Sequence, residues 1–187
     1  YLASIDAPGL RVTGATLPGV CGVLIGHNDR IAWGLTSLEP DVQDLFVEEV
    51  DPQDASRYRH RGEWKRFEER RETIRVRGGA DETLTVRSSV HGPVVTDALD
   101  GAGRIGPAVS LRWTALDPDP GSTEAFLAMA TARNWTEFLA GVEEIRASSL
   151  NLVYADVEGH IGYAAGGAIP IRPRADGLTP VSGTGED

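Results

Sequence analysis

The chain has 187 residues, 41% of them hydrophobic and 25% charged, with a formal net charge of −10 and a pI near 4.8. That length supports a sizeable core in one domain or one and a half, and the ordinary composition gives no reason to expect disorder. The acidic balance argues against nucleic acid as a partner, and the longest apolar run, Val20 to Ile25, is about a quarter of what a membrane span needs.

Cys21 is the single cysteine, so no internal disulfide is expected, and it reads as a small buried apolar residue. His27, His60, His91 and His160 are too scattered to suggest a zinc site.

In chain order, Val20 to Ile25 reads as a buried strand, His27 to Arg30 as a turn, and Ile31 to Thr36 as the returning strand of a hairpin. A polar loop, Ser37 to Asp41, follows. A third strand is expected to leave Asp44 through Leu45 and Val47. From Asp51 to Val95 the chain turns charged, and Glu72 to Arg77, Gly78-Gly79 and Glu82 to Arg87 predict an antiparallel hairpin with one wet face. Trp64 and Phe67 are expected to cover its dry face. The stretch Asp100 to Gly106 reads as an exposed loop, Ser110 to Thr114 as a strand and Asp117 to Gly121 as a proline-rich turn.

Ser122 or Thr123 can cap a helix running to about Ala132. A second helix is expected from Asn134 to about Arg146, with Trp135, Phe138, Leu139, Val142 and Ile145 on one face. Leu150 to Asp156 and Ile161 to Ala164 then read as a hairpin turning at Glu158-Gly159, and the tail from Pro170 reads as irregular.

Three segments in register carry a family resemblance. Pro18-Gly19-Val20 leads into Gly26-His27-Asn28 and Ile31-Ala32-Trp33-Gly34-Leu35-Thr36. Asp41-Val42-Gln43-Asp44-Leu45-Phe46 comes next, and Asn151-Leu152-Val153-Tyr154-Ala155-Asp156 is followed by Gly159-His160-Ile161-Gly162-Tyr163. Together they resemble the large catalytic chain of the penicillin acylase family of N-terminal-nucleophile hydrolases, over nearly the whole sequence.

The resemblance implies an α+β fold, part of an αββα sandwich with mainly antiparallel strands and a helix pair. Residues 1–187 would then be an internal fragment of the family's β-chain, with 51–95 as a charged hairpin elaboration. The implied activity is hydrolysis of a linear C–N amide bond by an N-terminal Ser whose own amine is the base. The substrate would be the acyl side chain of a β-lactam, an acyl-homoserine lactone or a similar small acyl amide. The family's nucleophile and its downstream oxyanion Asn and Arg fall outside the 187 residues, so this chain by itself is expected to be inactive. The remainder of the α and β chains would be its partners.

Site residues follow from the same resemblance. Ser37 stands where the family donates a backbone N–H to the oxyanion, a role that tolerates side-chain change. Asp41, Gln43 and Asp44 resemble the family's calcium loop, Gln43 through its main-chain oxygen, and calcium wants six to eight oxygens, so only part of a site is offered. Ile25, Leu35, Glu39, Phe126 and Leu150 fall on acyl-pocket positions, although a carboxylate at Glu39 departs from the aromatic residue of the best-known members. His27 and Asn28 read as turn residues, with His27 expected to bond a neighbouring loop; Asp156 and His160 also read as turn residues. Unpaired strand edges would favour homo-oligomers, and the family points to a periplasmic or secreted protein. A non-enzymatic binding module and a calcium-stabilised structural domain remain as alternatives.

Overall fold

The computed structural model describes residues 1–20, 22–98, 108–118, 122–172 and 176–185. Cys21 and the loop Asp100 to Gly106 lie outside the described residues, as does the turn Asp117 to Gly121 beyond Pro118.

In chain order the strands are β1 (Leu2–Ala7), β2 (Leu10–Ala15), β3 (Ile25–Asn28), β4 (Ile31–Ser37), β5 (Gln43–Val47), β6 (Val50–Asp51), β7 (Asp54–His60) and β8 (Glu63–Arg66). They continue with β9 (Glu68–Ile74), β10 (Glu82–Ser89), β11 (Gly92–Pro93), β12 (Val109–Trp113), β13 (Leu150–Asp156), β14 (Ile161–Gly166) and β15 (Val181–Ser182). Helices α1 (Ser122–Thr131) and α2 (Trp135–Glu143) fall between β12 and β13. The class is α+β, with mainly antiparallel strands and a helix pair. The chain divides into two compact units, Tyr1–Val42 with Thr114–Pro170 and Gln43–Trp113 with Ile171–Asp187.

The first unit is a six-stranded antiparallel sheet in the order β1-β2-β3-β4-β13-β14. Alternation along the strands sends Val12, Ile31, Trp33, Leu152 and Tyr154 to one face. There they are buried with Ala125, Phe126 and Met129 of α1, Phe138 and Val142 of α2, and Ile145 just beyond it. Each large apolar side chain buried this way contributes about 1.5–3 kcal/mol. Asn134 caps α2 by accepting from the Glu137 N–H at 2.9 Å, and Glu137 reaches back to the Arg133 N–H at 2.9 Å, so two orphan donors are satisfied. The helix stops at Glu143, short of the Arg146 the sequence suggested, although Ile145 is still buried.

The opposite face carries no helix. Ile25, Val153 and Tyr163 stand on it at 42%, 55% and 59% exposure, together with the still more exposed Leu2 and Ile161, so large side chains are left uncovered on one surface.

Two early expectations change. Val20 and Gly22 to Leu24 are irregular, because Gly19 at φ 85° and Gly22 at φ 122° break the extended run; Val23 is buried from a loop, and β3 begins only at Ile25. The hairpin β1–β2, turning through Gly9 at φ 80°, was not anticipated.

The second unit holds three small sheets, β11-β10-β9, β12-β5-β15 and β6-β7-β8. Tyr58, Phe67, Val94 and Ala108 form its core. Phe67 is buried there as expected, but Trp64 is 38% exposed and covers no dry face. The β9–β10 hairpin is wet on both faces over most of its length, since the core ends at Phe67, one residue before β9 begins. β9 stops at Ile74 rather than Arg77. The tail contains one short strand, β15, running parallel to β5.

Candidate active site

Ser37 ends β4 and is exposed. Its place in the ladder follows from register. The Leu38 N–H donates to Ser149 O at 2.9 Å across the position next to the Ser37–Leu150 pair, which makes Ser37 and Leu150 a pair that exchanges no bonds. Ser37 therefore turns its N–H away from β13. On that side β3 starts at Ile25, level with Gly34 by the Gly26–Trp33 register, and does not reach Ser37. Among the described residues neither neighbouring strand offers this N–H an acceptor.

Around Ser37 the uncovered face is polar. The Asn151 Nδ2 donates to Ser37 O at 2.9 Å and to Thr36 Oγ1 at 3.1 Å, and the Tyr163 hydroxyl donates to Asn151 Oδ1 at 2.6 Å. Sequence reading assigned Asn151 and Tyr163 no site role. The available signal was an Asn inside an otherwise apolar strand, a residue type depleted there.

Of the proposed acyl-pocket residues, Phe126, Leu35 and Leu150 share one cluster, whereas Ile25 and Glu39 lie apart from it. Phe126 is 7% exposed within the core, and Leu35 and Leu150 pack against that core from the helix-covered face. Ile25 stands on the opposite, uncovered face. Glu39 is exposed in the loop after β4 with φ 54°, an unusual backbone for a non-glycine residue.

Asp44 is committed elsewhere. The Arg172 Nε donates to Asp44 Oδ1 at 2.8 Å and Oδ2 at 3.0 Å, with both side chains nearly buried. Gln43 pairs with Trp113 in the β5–β12 ladder. Among the described residues no group of three or more His, Cys, Asp or Glu could hold a metal ion. A guanidinium already spans both Asp44 oxygens, so a calcium ion at Asp44 would have to displace Arg172.

The turn between β13 and β14 is built on Asp156. Its Oδ1 accepts from the Glu158 and His160 N–H groups at 2.9 and 3.0 Å, and its Oδ2 lies 2.9 Å from both the Tyr154 hydroxyl and His160 Nδ1. Burial alone would raise the Asp156 pKa, but the His160, Tyr154 and Glu158 hydrogen bonds hold it at about 2. Burial, with the Asp156 carboxylate, pushes Tyr154 up to about 12. These groups stabilise a turn, and a nearby cleft of about 480 Å³ is lined by Trp135, Tyr154, Asp156, His160 and Gly162. That cleft lies at the far end of β13 from Ser37.

Asn28, not His27, bonds a neighbouring element, donating to Ala130 O and Ala132 O at 3.0 and 2.7 Å. His27 reaches only Asn28 O, at 3.2 Å. In the second unit, Glu48 is fully buried with Oε1 3.0 Å from His91 Nδ1 and Oε2 unpartnered. Burial would raise its pKa, but the His91, Ser89 and Ser110 hydrogen bonds outweigh it and hold the carboxyl below its ordinary value.

Comparison with known proteins places this geometry in context. The family described as penicillin amidase matches residues 1–187. The Escherichia coli penicillin G acylase is 35% identical over 187 residues, covering 100% of this chain and 22% of that protein. A Pseudomonas fluorescens acyl-homoserine lactone acylase, QuiP, is 34% identical over 98% of this chain and 22% of its own length. In structure, the thermostable penicillin G acylase of Alcaligenes faecalis superposes with a TM-score of 0.88 at 36% identity, over 100% of this chain and 33% of that one. The chain thus spans about a fifth of the curated relatives it matches. It belongs to the penicillin amidase family.

Proposed function

We propose that the protein carrying this chain is an amidohydrolase that cleaves the C–N bond of a linear acyl amide through an N-terminal Ser. One observation carries the assignment within these residues: Ser37 ends its strand with the N–H directed away from β13 and past the reach of β3. Family membership and relatives named as acylases supply the reaction class.

In this reading a serine oxygen adds to the amide carbonyl, and the carbonyl π electrons move onto oxygen. The Ser37 N–H donates to that oxyanion as its charge develops, and one such donor is worth about 3 kcal/mol in the transition state. Collapse expels the amine, which takes a proton, and leaves an acyl-serine ester. Water then adds to the ester, passes again through an oxyanion at the same place, and releases the acid. The serine and its amine base come from a segment of the protein other than these 187 residues, generated by self-cleavage of a precursor.

The uncovered face suits the acyl group better than the residues proposed by resemblance, because Ile25 and Val153, on the strands flanking Ser37's, and Tyr163 beyond them are among the large apolar side chains left accessible there. The substrate class is a β-lactam acyl side chain, an acyl-homoserine lactone or a similar amide. Mass spectrometry of the full protein tests this directly. Two chains divided before a Ser, with turnover of an acyl amide, support it; an undivided chain with no turnover refutes it.

A further inference from the structure

We infer that Asn151 is a positioning residue for the oxyanion donor, held in orientation by Tyr163; this rests on the reading of Ser37 given above. The peptide that presents the N–H joins Thr36 to Ser37, and Asn151 grips it on both sides. One Nδ2 hydrogen goes to Thr36 Oγ1 at 3.1 Å, on the N-terminal side, and the other to Ser37 O at 2.9 Å, on the C-terminal side. A single amide nitrogen carries both hydrogens, so the two contacts form together.

Tyr163 decides which way the amide faces. Its hydroxyl donates to Asn151 Oδ1 at 2.6 Å, which keeps the oxygen toward Tyr163 and the nitrogen toward β4. The plane following Ser37 is fixed again where the Leu38 N–H donates to Ser149 O at 2.9 Å. From the other side, among the described residues, no strand of the sheet restrains the Thr36–Ser37 peptide, since β3 does not extend that far. Asn151 therefore replaces the missing ladder contact with a side-chain one while leaving the Ser37 N–H unspent. A donor must be aimed before the reaction to stabilise charge without reorganisation, so loosening this grip acts on the transition state more than on substrate binding.

The test is steady-state kinetics of the full protein on an N-acyl p-nitroanilide and an acyl-homoserine lactone, with rates expressed per titrated active site. Asn151→Asp keeps the size and removes the Nδ2 donor; Tyr163→Phe removes only the hydroxyl. Asn151→Asp is expected to lower kcat about tenfold, a part of the ~10²–10³ that losing an oxyanion donor costs. Tyr163→Phe should lower kcat about threefold, with KM within about twofold in both variants. The double variant should be no worse than Asn151→Asp, because both changes release the same peptide. An unchanged kcat per site in Asn151→Asp, or in Tyr163→Phe where Asn151→Asp does not fold, overturns the inference while leaving the amidohydrolase reading intact. A wild-type protein that cleaves neither substrate overturns that reading and the inference with it.

Discussion

The Asn28 side-chain nitrogen donates to Ala132 O at 2.7 Å, tying the β3–β4 turn to the chain leaving α1. The same nitrogen reaches Ala130 O at 3.0 Å, while Asn28 Oδ1 accepts from the Arg30 and Ile31 N–H groups at 2.8 and 2.9 Å. One side chain thus closes the turn and satisfies two carbonyls at the helix end, where orphan acceptors otherwise need partners. Asn28→Ala is expected to destabilise the fold by about 2–4 kcal/mol, at about 1 kcal/mol per net hydrogen bond lost. Urea unfolding of the purified protein measures it. A loss under about 0.5 kcal/mol, the level of an ordinary surface change, would contradict the account.

Gly162 is where β14 admits the Trp135 ring. A Cβ there would stand 2.8 Å from Trp135 Cη2, and the ring is also packed against Phe138 and Tyr154. Gly162→Ala should cost about 1–3 kcal/mol by overpacking and shift the tryptophan emission as the ring moves. Unchanged emission and stability would show that the ring has room the structure does not give it.

Acid sensitivity should come from depressed carboxyls. The folded pKa of Asp156, about 2, lies below the ordinary value. Its contribution is therefore complete above the unfolded pKa of about 3.9 and disappears as pH falls through the folded one. Glu48, also depressed, acts in the same direction. The melting temperature should fall between about pH 4 and pH 2 more steeply in the parent than in Asp156→Asn, which lacks the titrating group. Parallel profiles would remove Asp156 from the explanation.

Arg172 and Asp44 form a nearly buried ion pair, so removing one partner strands the other. Arg172→Gln should lower stability by about 3 kcal/mol, in the range for breaking a buried pair. It should also expose both Asp44 oxygens, so added calcium should raise the melting temperature of the variant more than that of the parent. An equal calcium response in both would mean that Arg172 does not compete for the carboxylate.

Much of the fold was legible where local pattern and tertiary packing agree. The β13–β14 hairpin, the β3–β4 turn and the α2 face bearing Phe138 and Val142 all follow from periodicity and turn chemistry. The misses occur where burial is decided from afar. Val20 to Leu24 looked like a strand because its side chains are apolar, yet the flanking glycines set the backbone. Glu48 carried no signal in the sequence that it is buried, and the His91 beside it comes from 43 residues away. At the site, Ser37 could be proposed from resemblance, but the Asn151 and Tyr163 contacts join β4, β13 and β14, and sequence spacing does not reveal them. Asp41, Gln43 and Asp44 could be proposed for calcium from resemblance, whereas the Arg172 that bonds Asp44 lies in the distant tail.

The most direct test is a crystal structure of the full protein with a boronic acid captured by its N-terminal serine as a tetrahedral adduct. The account predicts one boron-bound oxygen at about 3 Å from the Ser37 backbone nitrogen, in line with its N–H. An adduct whose oxygens are held by other donors, with the Ser37 N–H turned elsewhere, would contradict it.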